Sequence, residues 1–269
     1  MADSAAADSV AAAEASDVAA DQRRLSRLVD VRNRRGRKTQ HQPAAATSED
    51  AVQIATPAPG STAALLLEVM ENDDRNKPLV IFVTADGCEA DDDHEVVSRF
   101  TAAGLLVHEF SCRLSPTYTF AEARDDLFDR YVWLARSDYA FDRSRTAFFG
   151  VSMCGNLAVE AAIATGTPAV SWSGPLDLRD CDPNASHDRT REEASPVCRV
   201  HPACGPIYLA NSLDEVVPAT QPVRMQTALV HAGVPATLQL LGGARHGYEY
   251  LNDAIDPTIS FVQHATRVG

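Results

Sequence analysis

From Pro78 onward the chain repeats one rhythm, a short apolar run followed by a stretch with helical spacing. PLVIFVT (78–84) is apolar without interruption and has the length of a strand buried on both faces. LLVHEF, TAFFGV, PAVSW, PIYLAN and ATLQLL repeat the pattern downstream. Helices are predicted between them over about 92–103, 120–137, 156–164 and 218–232, with a last one closing the chain near 251–265. Asp91, Asp92 and Asp93 suit the positive end of the first helix, and Gly104, Gly166 and Gly233 stop three of the helices. Strands alternating with helices imply an α/β fold: a mostly parallel twisted sheet with helices on both faces and right-handed crossovers.

Two stretches depart from the rhythm. Residues 174–203 are polar and rich in Asp, Arg, Cys and Pro, and read as a small insertion over the carboxyl edge of the sheet. Residues 1–48 hold few large apolar side chains and read as a disordered or loosely helical extension. Between that extension and the first parallel strand, AVQIAT and AALLLEVM flank the turn-rich TPAPGS and predict an antiparallel strand pair. The expected organisation is therefore an extension over 1–48 and one α/β domain over 49–269.

Charge narrows the partners. The chain carries a net charge of −13. Its basic residues cluster in the extension, where Arg23, Arg24, Arg27, Arg32, Arg34, Arg35, Arg37 and Lys38 face only Asp21 and Asp30. The rest is strongly acidic, which argues against nucleic acid as a partner. No segment has the unbroken apolar length of a membrane-spanning helix, and the acidic, Ala-rich start lacks the pattern of a secretory signal, so a cytoplasmic protein is expected. Six cysteines show no CxxC spacing, so free, mostly buried thiols are expected, and Cys181 with Cys198 or Cys204 remains an open pairing. Asp91, Asp92, Asp93, His94 and Glu95 point in different directions from a helix start, so neither a metal nor a cofactor is expected. Oligomeric state is left open, with a homodimer among the options.

The chemistry concentrates in three residues far apart along the chain. FFGVSMCGNLAVEAA (148–162) reads as a strand, a sharp turn and a helix, with Ser152 at the turn. Asp214 follows the strand PIYLAN, and His246 follows the strand ATLQLL. A parallel sheet brings such strand ends together at one rim. A serine hydroxyl needs a base within hydrogen-bond reach, and the base needs a group to hold its tautomer. His246 would take the proton from Ser152, and Asp214 would orient the imidazole. Asp177, after PAVSW, is the second candidate for the acid.

With those residues in place, the chain from about Ala51 to its end resembles the α/β-hydrolase carboxylesterases. The likeness is to the small-capped esterases close to the hormone-sensitive-lipase and feruloyl/acetyl-xylan esterase branches. SCRLSP (111–116), DRSRTAFFGVS (142–152), ASPVCRVHPACGPIYLANSLDEVVP (194–218) and ARHGYEY (244–250) carry it. The resemblance implies a serine esterase acting on a small-molecule ester of small or medium acyl length, with Ser152 as nucleophile, Asp214 as acid and His246 as base.

Two departures from the family pattern stand out. The elbow usually reads Gly-x-Ser-x-Gly, whereas here Cys154 takes the last of those positions and Gly155 follows it. The family's His-Gly-Gly-Gly loop is replaced by Thr84-Ala85-Asp86-Gly87-Cys88. Backbone donors do not depend on side-chain identity, so the N–H groups of Asp86, Gly87 and Met153 are the expected oxyanion hole. An inward carboxylate at Asp86 would oppose the developing charge, and one lost donor costs roughly 3–4 kcal/mol of barrier. Two alternatives remain at this point: a peptidase related to the prolyl oligopeptidases, and a non-catalytic ligand-binding protein on a degenerate hydrolase fold.

Overall fold

The computed structural model describes residues 77–85, 90–112, 119–180 and 189–267. The expected extension, the antiparallel strand pair, and Asp86, Gly87 and Cys88 lie outside the described residues.

Among the described residues six strands form one sheet: β1 (Leu79–Ala85), β2 (Leu106–Cys112), β3 (Thr146–Val151), β4 (Ala169–Trp172), β5 (Ile207–Ser212) and β6 (Ala236–Leu241). Their order is β2-β1-β3-β4-β5-β6, and every neighbouring pair is parallel. The connecting helices are α1 (Ala90–Ala102), α2 (Phe120–Arg136), α3 (Met153–Thr165), the short α4 (Arg189–Glu193) and α5 (Thr220–His231), with α6 (Leu251–Ala265) closing the chain. All six apolar runs are strands and the predicted long helices form. The elbow helix begins three residues earlier than its apolar pattern suggested, directly after Ser152.

The continuous apolar runs are explained by coverage on both faces. Leu79, Ile81 and Val83 of β1 point to one side, packing with Phe148, Leu157, Leu127 and Met225 under α2, α3 and α5. Val80 and Phe82 point to the other, with Phe100, Phe149, Trp172 and Ile255 under α1 and α6. Each such side chain fully withdrawn from water contributes roughly 1.5–3 kcal/mol. On the second face, rings run from Phe82 to Phe149 (5.0 Å between centroids), to Trp172 (5.0 Å) and to Tyr250 (5.8 Å). That row spans β1, β3 and β4 and ends beside the last loop.

α3 is buried over most of its length and carries one charged residue, Glu160, into the core. Burial pushes the Glu160 carboxyl up, and Arg199 opposes that shift with an ion pair. Arg199 belongs to the insertion, so this pair fastens the insertion to α3. Among the described residues no helix is long and apolar enough to cross a membrane.

Candidate functional site

Chain order reverses around β1. β2 lies on one side of it and β3 on the other, and a crevice opens at the carboxyl ends of the strands at such a switch point. Ser152 stands there, immediately after β3. Its backbone has φ 55° and ψ −127°, a conformation a serine adopts at a cost on the order of 1–3 kcal/mol. Its N–H donates to Trp172 O (2.8 Å), and its carbonyl accepts from Gly155 N (2.9 Å) and Asn156 N (3.3 Å). The strained residue is thus held from β4 on one side and from α3 on the other.

The substitution in the elbow motif has a structural reason. A side chain at Gly150 would meet the carbonyl oxygen of Cys154 at 2.2 Å, and one at Gly155 would meet Ser171 Oγ at 2.5 Å. The absence of a side chain on the helix side is therefore required at 155. Cys154 is buried, with its sulfur 3.6 Å from that of Cys112, which donates to Thr84 O at the end of β1 (3.0 Å). Cys112, Cys154 and Cys204 are buried cysteines and Cys198 is an exposed one. Met153 opens α3, where the first N–H groups lack partners within the helix, as an oxyanion donor requires.

The carboxylate that meets His246 is Glu215, not Asp214. His246 Nδ1 lies 2.5 Å from Glu215 Oε2, and the Glu215 side chain is fully withdrawn from solvent. Glu215 Oε1 accepts from Ser212 N (2.8 Å) and Ser173 Oγ (2.9 Å). Asp214 is exposed; its contribution is its backbone N–H, which donates to Gly243 O (3.0 Å) in the loop that carries His246. Asn211 Nδ2 donates to Ser212 O (2.8 Å) and Val217 O (3.0 Å), folding the turn back so that residue 215 faces inward. Asp177, the second candidate, is buried elsewhere and chelated by Arg179 (2.8 and 2.9 Å) with Arg224 at 3.2 Å, which hold its carboxyl below the usual range.

The His246 loop is fixed at several points. His246 N donates to Glu249 Oε2 (2.6 Å), and Gly247 N donates to Ser173 Oγ (2.9 Å). Tyr248 Oη donates to Asp93, which ties the loop to α1. A side chain on Gly247 would reach within 2.7 Å of Val151 Cγ1, so this loop lies against the residue preceding Ser152. With Nδ1 turned to Glu215, the imidazole Nε2 is left to accept a proton. Sequence reasoning missed Glu215 and also Ser173, a residue in a loop after a strand that carries no motif.

Residues 82–173 match a family described as alpha/beta hydrolase fold. Comparison with curated proteins finds no match. Among solved structures, a truncated carbohydrate esterase from gut microbiota is similar at 20% identity, with a TM-score of 0.62 over 71% of this chain and 86% of that one. An acetyl ester-xyloside bifunctional hydrolase from Caldicellulosiruptor lactoaceticus gives 16% identity and 0.61 over 70% and 84%. A thermophilic esterase from the Planctomycetes species Thermogutta terrifontis, with propionate bound, gives 16% identity and 0.60 over 71% and 84%. At these identities the likeness is one of fold. With the family match it bears out the α/β-hydrolase architecture expected from the sequence.

Proposed function

We propose that this chain, α/β-hydrolase in fold, is a serine carboxylesterase that cleaves esters of small or medium acyl length through an acyl-enzyme on Ser152. The observation that carries the reading is the buried Glu215 carboxylate on His246 Nδ1, in a loop that packs beside a serine held at positive φ. In this reading Ser152 Oγ attacks the ester carbonyl while its proton passes to His246 Nε2. Glu215 keeps the imidazole in the required tautomer and stabilises the imidazolium. The oxyanion is met by the N–H of Met153 and by those of Asp86 and Gly87. The tetrahedral species collapses, the alcohol leaves with the proton from His246, and water attacks the acyl-enzyme by the same route. A short acyl group fits the polar insertion at the carboxyl edge, and the acetyl and propionate named for two of the similar proteins agree with it.

The test pairs a fluorophosphonate probe with nitrophenyl acetate, propionate and butyrate. Wild-type protein is expected to label and turn over, and Ser152→Ala to lose both, with kcat/KM falling on the order of 10⁴-fold or more. Labelling or turnover that survives in Ser152→Ala would sink the assignment, as would a wild-type protein that does neither.

A further inference from the structure

We infer that Ser173 is a positioning residue for the proposed triad, gripping the acid and the base loop through one hydroxyl, with Tyr250 as the group that polarises it. The inference rests on the reading of Ser152, His246 and Glu215 as a triad.

Ser173 follows β4 with φ 50°, a second non-glycine residue held at positive φ. It is fully buried, and its N–H donates to Ala210 O (2.9 Å), which anchors it to β5. Its hydroxyl meets three groups at once: Glu215 Oε1 at 2.9 Å, Gly247 N at 2.9 Å and Tyr250 Oη at 2.7 Å. Gly247 is the neighbour of His246, so one oxygen touches both the acid and the loop that carries the base.

The proton inventory gives the network a direction. Ser173 and Tyr250 have one hydroxyl proton each. Gly247 N–H can only donate, and a carboxylate can only accept. The Ser173 proton therefore goes to Glu215, and the Tyr250 proton is available to Ser173 Oγ, with Ala210 O a further acceptor at 3.0 Å. Burial raises the Tyr250 phenol well above its ordinary range, which keeps it a donor. The sequence is Tyr250 to Ser173 to Glu215, ending on the carboxylate that holds His246.

The consequence is electrostatic as well as positional. Glu215 is removed from water, and its charge is carried by the donors Ser212 N–H, Ser173 O–H and His246 Nδ1–H. Loss of one donor concentrates the charge against the imidazole. That favours imidazolium in the resting enzyme and turns the carboxylate from a fixed to a movable partner. The other titratable groups facing this cluster are Glu249 and Asp93, reached through the backbone of His246 and through Tyr248, and Tyr208 of β5, whose phenol is pushed up to about 12.

The experiment measures kcat and KM for nitrophenyl acetate across pH in wild type, Ser173→Gly and Tyr250→Phe. Glycine is chosen because it relieves the positive φ. Ser173→Gly is expected to lower kcat by 10- to 100-fold at nearly constant KM and to move the acidic limb of kcat/KM up by about half a pH unit or more. Tyr250→Phe is expected to shift the limb in the same direction with a smaller loss, and it carries the test alone if Ser173→Gly does not fold. An acidic limb that stays put, with or without a loss in kcat, overturns the inference. A wild-type protein that neither turns over ester nor labels with fluorophosphonate overturns the triad reading itself, and the inference with it.

Discussion

Glu215, in the turn after β5, is a carboxylate withdrawn from water and Glu109, on β2, one withdrawn in part, yet their surroundings treat them differently. Glu215 meets three donors whose positions are set by backbone and by buried side chains. Glu109 is half-buried, and the charge that acts on it is the like-signed Asp93; burial and that neighbour push it up to about 7. The donors around Glu215 fix where its oxygens point, while burial and repulsion at Glu109 make that carboxylate give its charge up near neutral pH. Glu160 combines burial with a charged partner: burial raises it, and Arg199 pulls it back.

The strongest test of this contrast is at the rim. Glu215→Gln keeps the shape but offers the imidazole a wrong partner, and kcat is expected to fall by roughly 10²- to 10⁴-fold. Asp214→Asn, one residue away and exposed, is expected to change kcat by less than about threefold. Equal losses in the two variants, measured with nitrophenyl acetate, would break the comparison.

Next in size is the case of Glu160. Arg199→Ala leaves Glu160 buried without its ion-pair partner and is expected to cost about 2–3 kcal/mol in urea unfolding, the lower end for a broken buried pair because Arg199 is partly exposed. Adding Glu160→Gln to that variant should return part of the loss. A double variant no more stable than Arg199→Ala would mean that the pair does not balance the burial of Glu160.

The smallest effect comes from β2, where His108 and Glu109 are adjacent. Burial, with Arg130 nearby, lowers His108 to about 4, so its stabilising contribution, present above pH 6.5, is lost as the pH falls toward 4. Glu109 is raised to about 7, so its contribution, present below pH 4.5, is lost as the pH rises through 7. The two slopes oppose each other between pH 4.5 and 6.5 and nearly cancel. Relative to wild type, Glu109→Gln should gain stability with rising pH across that window, and His108→Gln should lose it, each by about 2 kcal/mol after allowance for partial exposure. Parallel curves for the three proteins would remove the contrast between β2 and the rim.

The strands were legible because a sheet covered on both faces needs unbroken apolar runs, as in LVIFVT and TAFFGV. Ser152 was legible because strand, turn and helix follow one another there, and His246 because it comes just after the last strand. The carboxylate that meets His246 lies one residue beyond the expected Asp214 for a definite reason. Val217 is buried and Val216 is 80% exposed, and the same alternation puts Glu215 inside and Asp214 outside. In sequence, two valines in a row give no sign of which one turns inward. The fold of this turn depends on Asn211 reaching Val217 O, a contact that composition does not encode. Ser173 was illegible because its importance comes from four segments that meet only in three dimensions.

A methyl of Val151 occupies the space that a side chain on Gly247 would need, which gives these two positions a common allowance of space. Bulk added at either is bulk withheld from the other, although 96 places separate them in the chain. A side chain at 247 should therefore need both a smaller residue at 151 and release of the positive φ that Gly247 adopts, a coupling with its origin in steric crowding beside Ser152.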